Sequence, residues 1–145
     1  MYDTRTATVI GGWLILAFGL MLSIGNLPGL NPYLDRLLDL VIWEKDHGSY
    51  LTVTEARLVV AVTGGIACAW GVLQIGLARS FGATQPDALR RIVMRAYWVW
   101  FLVDGAGSLI AGAPLNILGN TAFLAVLLLP FARRPNGAAE DMRTP

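Results

Sequence analysis

Four apolar stretches, separated by polar or turn-forming segments, organise the chain. The first, 8–27, runs about 20 residues without a charge, the length that crosses the hydrocarbon core of a bilayer. Its front carries only Arg5 as a basic residue. Its end holds Ser23, Asn26, Pro28 and Gly29 instead of the small-x-small exit of a cleaved leader, so the pattern predicts an uncleaved span. The second stretch covers 55–79, the third 90–112 (RRIVMRAYWVWFLVDGAGSLIAG) and the fourth 115–132, ending before Arg133-Arg134-Pro135.

The links between them carry their own signals. Asn31-Pro32 reads as an N-cap followed by proline at the first helical position. Tyr33, Leu34, Leu37, Leu38 and Val41 then recur at helical spacing, with Asp35, Arg36 and Asp39 on the other side. This predicts an amphipathic helix over 32–43, ending in Trp43, that lies on the membrane interface or plugs the mouth of a bundle. Residues 44–48 read as a solvated turn in which His47 is a surface residue. Thr52-Val53-Thr54-Glu55 matches a capping box that would start the second span. Pro86 opens the third span, and Gly112-Ala113-Pro114 predicts a tight turn into the fourth. Residues 133–145 lack apolar side chains to bury and are expected to form a disordered tail. Gly64, Cys68 and Gly71 make a stripe of small residues on the second span, and Gly12 and Gly19 make a facing stripe on the first. Such stripes let membrane helices approach closely.

Composition agrees with this outline. Charged residues are 14% of the chain and hydrophobic ones 55%, whereas a soluble domain carries roughly 25% charged residues. A net charge of +1 lacks the basic face of a nucleic-acid binder. With one cysteine (Cys68) and one histidine (His47), the chain offers no intrachain disulfide and no set of soft or imidazole ligands, so no cofactor or metal is expected. Four spans place eight Lys or Arg residues (Arg5, Arg79, Arg90, Arg91, Arg95, Arg133, Arg134, Arg143) on one face. Three (Arg36, Lys45, Arg57) fall on the other. By the positive-inside rule both termini are then cytoplasmic. The expected fold is all-α: an integral membrane four-helix bundle over residues 1–132, with an amphipathic interfacial helix in the first extracytoplasmic loop.

One residue breaks the apolar pattern. Asp104 is the only charge between Arg95 and Arg133, about nine residues before the tight turn and so roughly 13 Å below the outer edge. A carboxylate at that depth costs several kcal/mol unless paired, hydrated or protonated, so it should face the protein interior. Tyr97, Trp100 or Phe101, and Ser108 share its side of the helix. Asn116 and Asn120, four apart, share one face of the fourth span. Equal counting from the turn predicts that Asp104 meets Asn120. Ser108, Asn116, Ser23 and Asn26 would extend a polar strip to the outer face. The strip reads either as interhelical hydrogen bonding or as a ligand pocket with Asp104 as proton donor, acceptor or counter-ion. Tyr97, Trp98 and Trp100 cannot all face one way. They read as interfacial belt residues or as an aromatic wall around a flat apolar ligand. Cys68, mid-span, reads as packing.

The four short spans, Arg57 followed by Gly64-Gly65, and Asp104-Gly105 late in the third span resemble small bacterial four-helix membrane proteins of the DoxX-like kind. The resemblance implies a bundle in the cell inner membrane. No residue role is carried over from it, and the acidic loop 31–54 departs from that group. The leading expectation is a small integral membrane protein that contacts membrane lipid and binds a lipophilic small molecule or a larger membrane complex. Another is a membrane isomerase or cyclase, with Asp104 as acid, Asn120 orienting it and Tyr97 and Trp100 lining the pocket. A third is a homo-oligomeric proton-coupled transporter. Small multidrug transporters also have four spans, but their acid lies in the first, where this chain has none.

Overall fold

A computed structural model describes residues 3–27, 29–41 and 50–132. The described chain is all-α: α1 (Thr4–Gly25), α2 (Asn31–Val41), a 3-10 turn (Tyr50–Thr52), α3 (Thr54–Phe81), α4 (Pro86–Ile110) and α5 (Pro114–Ala132). Trp43, the 44–48 turn with His47 and the tail 133–145 lie outside the described residues. The helices extend a few residues beyond the apolar runs, because helix formation tolerates the flanking charges that the bilayer rejects.

Local chemistry sets most of the ends. Asp3 caps α1 by accepting a hydrogen bond from the Thr6 backbone N–H at 2.6 Å. That bond holds the Asp3 carboxyl below its usual range, and the Thr6 hydroxyl and the Arg5 guanidinium act in the same direction. The cap is fully formed above the ordinary carboxyl pKa of about 3.9 and is lost as pH falls through the lower folded value. The protection factors of the Thr6 and Ala7 amides, exchange rates taken relative to the intrinsic rates at each pH, should therefore fall on acidification, and Asp3→Ala should abolish that fall. The capping box expected at Thr52–Glu55 does not form. The N-cap of α3 is Val53, with no side-chain cap bond. Pro86 occupies the first turn of α4. Gly112 adopts φ +74°, a left-handed conformation, and closes the α4–α5 turn with Ala113 N–H donating to the Ser108 carbonyl at 2.9 Å.

The α1–α3 pairing is the most extensive helix contact. It follows the two small-residue stripes. A Cβ on Gly19 would stand 2.7 Å from the Gly64 carbonyl oxygen and from the Cys68 nitrogen, and one on Gly71 would stand 2.6 Å from the Gly12 carbonyl oxygen. The two backbones therefore touch. The Cys68 thiol donates to the Leu16 carbonyl oxygen at 3.8 Å, consistent with packing. At the C-terminal end of α1, the start of α3 also clasps it. Asn26 Nδ2 donates to the Arg57 carbonyl oxygen at 2.9 Å, while the Arg57 guanidinium donates to the Asn26 carbonyl oxygen at 3.2 Å, where α1 carries no basic residue of its own.

One buried cluster draws on four helices: Ala7 and Ile15 of α1, Ala78 of α3, Leu89, Val93 and Tyr97 of α4, and Leu124, Leu127 and Phe131 of α5. Helix α2 touches the ends of α1 and α5 and buries only Leu34, and Asp35 accepts a bond from the Leu51 N–H at 3.0 Å. Tyr33 and Leu40 stay exposed. Three helices, α1, α3 and α5, are long and apolar enough to cross a membrane. Helix α4 is also long, but it carries Asp87, Arg90, Arg91, Arg95 and Asp104. Its stretch from 96 to 110, about 22 Å of helix, has Asp104 as its one charge. Large aliphatic side chains cover the outside, among them Val59, Val62 and Ile66 on α3 and Val99, Leu102 and Val103 on α4. A continuous apolar exterior of this kind suits a lipid solvent.

Candidate functional site

The α4–α5 turn brings two polar pairs together, Asp104 and Ser108 on α4, and Asn116 and Asn120 on α5. Asn116 makes the connection. Its Nδ2 donates to Ser108 Oγ at 2.8 Å and to Asp104 Oδ1 at 3.1 Å, using both amide protons. The Ser108 hydroxyl lies 2.8 Å from the Asp104 carbonyl oxygen and 3.2 Å from Oδ1, and shares its proton between them. Asp104 is partly buried and Ser108 is buried. No described residue donates to Asp104 Oδ2 or pairs with the carboxylate as a cation.

Asn120, expected to face Asp104, makes no hydrogen bond to it. Counting from the turn correctly sets Asn116 level with Ser108. However, the second proton of the Asn116 amide reaches the carboxylate one turn deeper. Asn120 is left buried at 9% exposure, and its Nδ2 has no hydrogen-bond partner. A buried amide N–H without an acceptor costs on the order of 1–3 kcal/mol, which makes it the other unusual feature here.

The rest of the expected strip divides. Ser23 and Asn26 belong to the α1–α3 interface. Ser23 Oγ packs against Gly64, and Asn26 is held by Arg57, with its Oδ1 buried and unpartnered. Tyr97 is fully buried, so it is no belt residue. Its hydroxyl accepts a bond from Gln74 Nε2 at 2.6 Å, and the same nitrogen donates to the Thr8 carbonyl oxygen at 3.0 Å. The Tyr97 hydroxyl also presses on Gly11, where any Cβ would collide with it. This second polar node joins α1, α3 and α4. Gln74 is the residue that periodicity arguments pass over. Its signal is that it is the sole amide side chain within the 55–79 run.

The aromatic residues form a ladder instead of one wall. Phe18 meets Phe123 at a centroid distance of 5.4 Å, Phe123 meets Trp100 at 5.8 Å, Trp100 meets Trp70 at 6.3 Å and Trp70 meets Tyr97 at 6.1 Å. Phe101 packs separately on Trp98 at 6.1 Å, and Trp98 faces outward. Trp100 and Phe101, one turn before Asp104, therefore sit in different aromatic groups.

Chemically, the site offers one carboxylate with a neutral-donor side and an open side, plus a spare N–H donor one turn away. Among the described residues no second titratable side chain is bonded to it, and the one hydroxyl that is, Ser108, has no base beside it other than the carboxylate. Among the described residues no three or more His, Cys, Asp or Glu gather as a metal site. The arrangement is equipped to hold a polar group by hydrogen bonds. No protein-family model, curated protein or solved structure matches the chain.

Proposed function

We propose that this is a four-span integral membrane protein of the inner membrane, both termini cytoplasmic, that binds a lipophilic molecule through the Asp104 site. The observation that carries this reading is the asymmetric use of the carboxylate. Oδ1 is engaged by Asn116 and Ser108, and Oδ2 has no described donor. A ligand end group that donates, such as a hydroxyl or an amide N–H, would complete Oδ2. The apolar exterior, the cluster shared by four helices and the eight-to-three bias of basic residues support the membrane placement and orientation. An intramembrane carboxylate with no cationic partner is a functional signal in its own right.

The test compares wild type, Asp104→Asn and Asp104→Leu, purified in mild detergent. Co-purifying lipophiles are identified by mass spectrometry, alongside assembly state and melting temperature. Asn keeps an oxygen to accept from Asn116, so Asp104→Asn should stay folded while retaining about tenfold less lipophile, a loss of about 1.4 kcal/mol. Unchanged lipophile content in Asp104→Leu would overturn the proposal. Loss of a co-purifying protein partner, with lipophile content unchanged, would reassign the site to assembly of a larger membrane complex.

A further inference from the structure

A second site lies at the other end of α4. An apolar cavity of about 180 Å³ opens between the end of α3 and the start of α4, lined by Leu77, Phe81, Gln85, Ala88, Leu89 and Ile92. We propose that this groove holds an acyl chain of an anionic phospholipid, whose headgroup is bound by Arg91 and Arg95. The inference rests on the chain lying in a membrane and is independent of Asp104.

Gln85, Ala88, Leu89 and Ile92 fall on one face of α4, and Arg91 and Arg95 continue from Ala88 at i+3 and i+7, flanking that face. Both arginines are exposed, and neither has an ion-pair or hydrogen-bond partner among the described residues. Helical side chains lean toward their own N-terminus, which for α4 is the end where the groove lies. The two guanidiniums are thus directed back to headgroup level while their stems cover apolar surface. Asp87 and Arg90 fall on the side of α4 away from the groove, but Asp87 stands one turn before Arg91 and offsets part of its charge, so Arg95 carries the larger share of the rim. Arg79, on α3, also points away from Leu77 and Phe81. Arg5 lies over Gly82 in the α3–α4 link, where a Cβ would stand 2.6 Å from its own Cβ, and adds positive charge at this end. A basic rim beside an apolar groove selects a ligand with an anionic head and a hydrocarbon tail.

The experiment delipidates the full chain in a zwitterionic detergent and adds dioleoylphosphatidylglycerol, dioleoylphosphatidylcholine or inorganic phosphate. Retained lipid is read by native mass spectrometry, and melting temperature is followed in parallel. Phosphatidylglycerol should bind about tenfold or more tightly than phosphatidylcholine, and should raise the melting temperature where phosphate does not. Arg91→Gln combined with Arg95→Gln should abolish that preference. Ala88→Trp, which fills the groove, should weaken retention of phosphatidylglycerol, and Arg79→Gln should leave it unchanged. Circular dichroism and size exclusion identify any misfolded variant, and the groove and rim variants check each other. Equal binding of the two lipids, or full retention by the double arginine variant, would overturn the site. Phosphate matching phosphatidylglycerol would show that charge alone acts and would remove the groove from it.

Discussion

Gly19→Ala should destabilise the protein, whereas Gly65→Ala should stabilise it or leave it unchanged. Both glycines lie within apolar helices, and replacing a helical glycine by alanine favours the helix by up to about 1 kcal/mol. Tertiary surroundings reverse the sign at Gly19. Its added methyl would stand 2.7 Å from the Cys68 nitrogen and the Gly64 carbonyl oxygen, both backbone atoms that cannot rotate away. Around Gly65 nothing lies within 4 Å. Overpacking by a methyl group or two typically costs about 1–3 kcal/mol. Gly19→Leu and Gly71→Leu should exceed that range, because α1 and α3 must separate along their whole seam. Unfolding midpoints in a denaturing-detergent titration measure these differences. Equal shifts for Gly19→Ala and Gly65→Ala would show that the backbones do not touch.

The second large effect belongs to Gln74 and Tyr97. Gln74→Leu leaves the fully buried Tyr97 hydroxyl without the donor at 2.6 Å. Tyr97→Phe leaves a Gln74 amide proton without that acceptor. A buried group deprived of its partner costs about 1–3 kcal/mol in water-soluble proteins. Interhelical hydrogen bonds in a membrane average about 0.6 kcal/mol, with a maximum near 1.7, because the unfolded state in lipid also finds partners. Gln74 bonds to two helices at once, so Gln74→Leu should fall in the upper part of that range. The double variant should be less destabilised than the sum of the singles, since removing both polar ends of the bond leaves neither orphaned. Strict additivity in a double-mutant cycle would mean that the two side chains do not interact.

The same logic explains which parts of the site were legible in advance. Asp104 stood out because a charge in an apolar run conflicts with its surroundings, a conflict visible without any neighbour. Ser108 and Asn116 followed from helical spacing and a tight turn. Asn120 as the partner of Asp104 did not follow. Choosing between Asn116 and Asn120 depends on an axial offset of one turn, about 5.4 Å, which counting residues from a turn cannot supply. For Tyr97 helical spacing left two readings open, a belt residue at the interface or a wall residue on the side of Asp104. The structure turns it inward toward Gln74, a residue 23 positions away on another helix.

By itself, then, the sequence determined the helical segments, their approximate ends, the close α1–α3 seam and the position of the one acid within an apolar run. These depend on local properties: apolar runs of bilayer length, proline and glycine at the breaks, and small residues at seven-residue spacing. Only the tertiary structure decided that Ser23 and Asn26 serve α3, that Gln74 ties Thr8 to Tyr97, that Asn116 takes the carboxylate and that Asn120 is left without an acceptor. Each of those outcomes depends on how far a helix rotates about its axis and slides along it. Those two variables are set by the packing of all four long helices together, and no single stretch of sequence contains them.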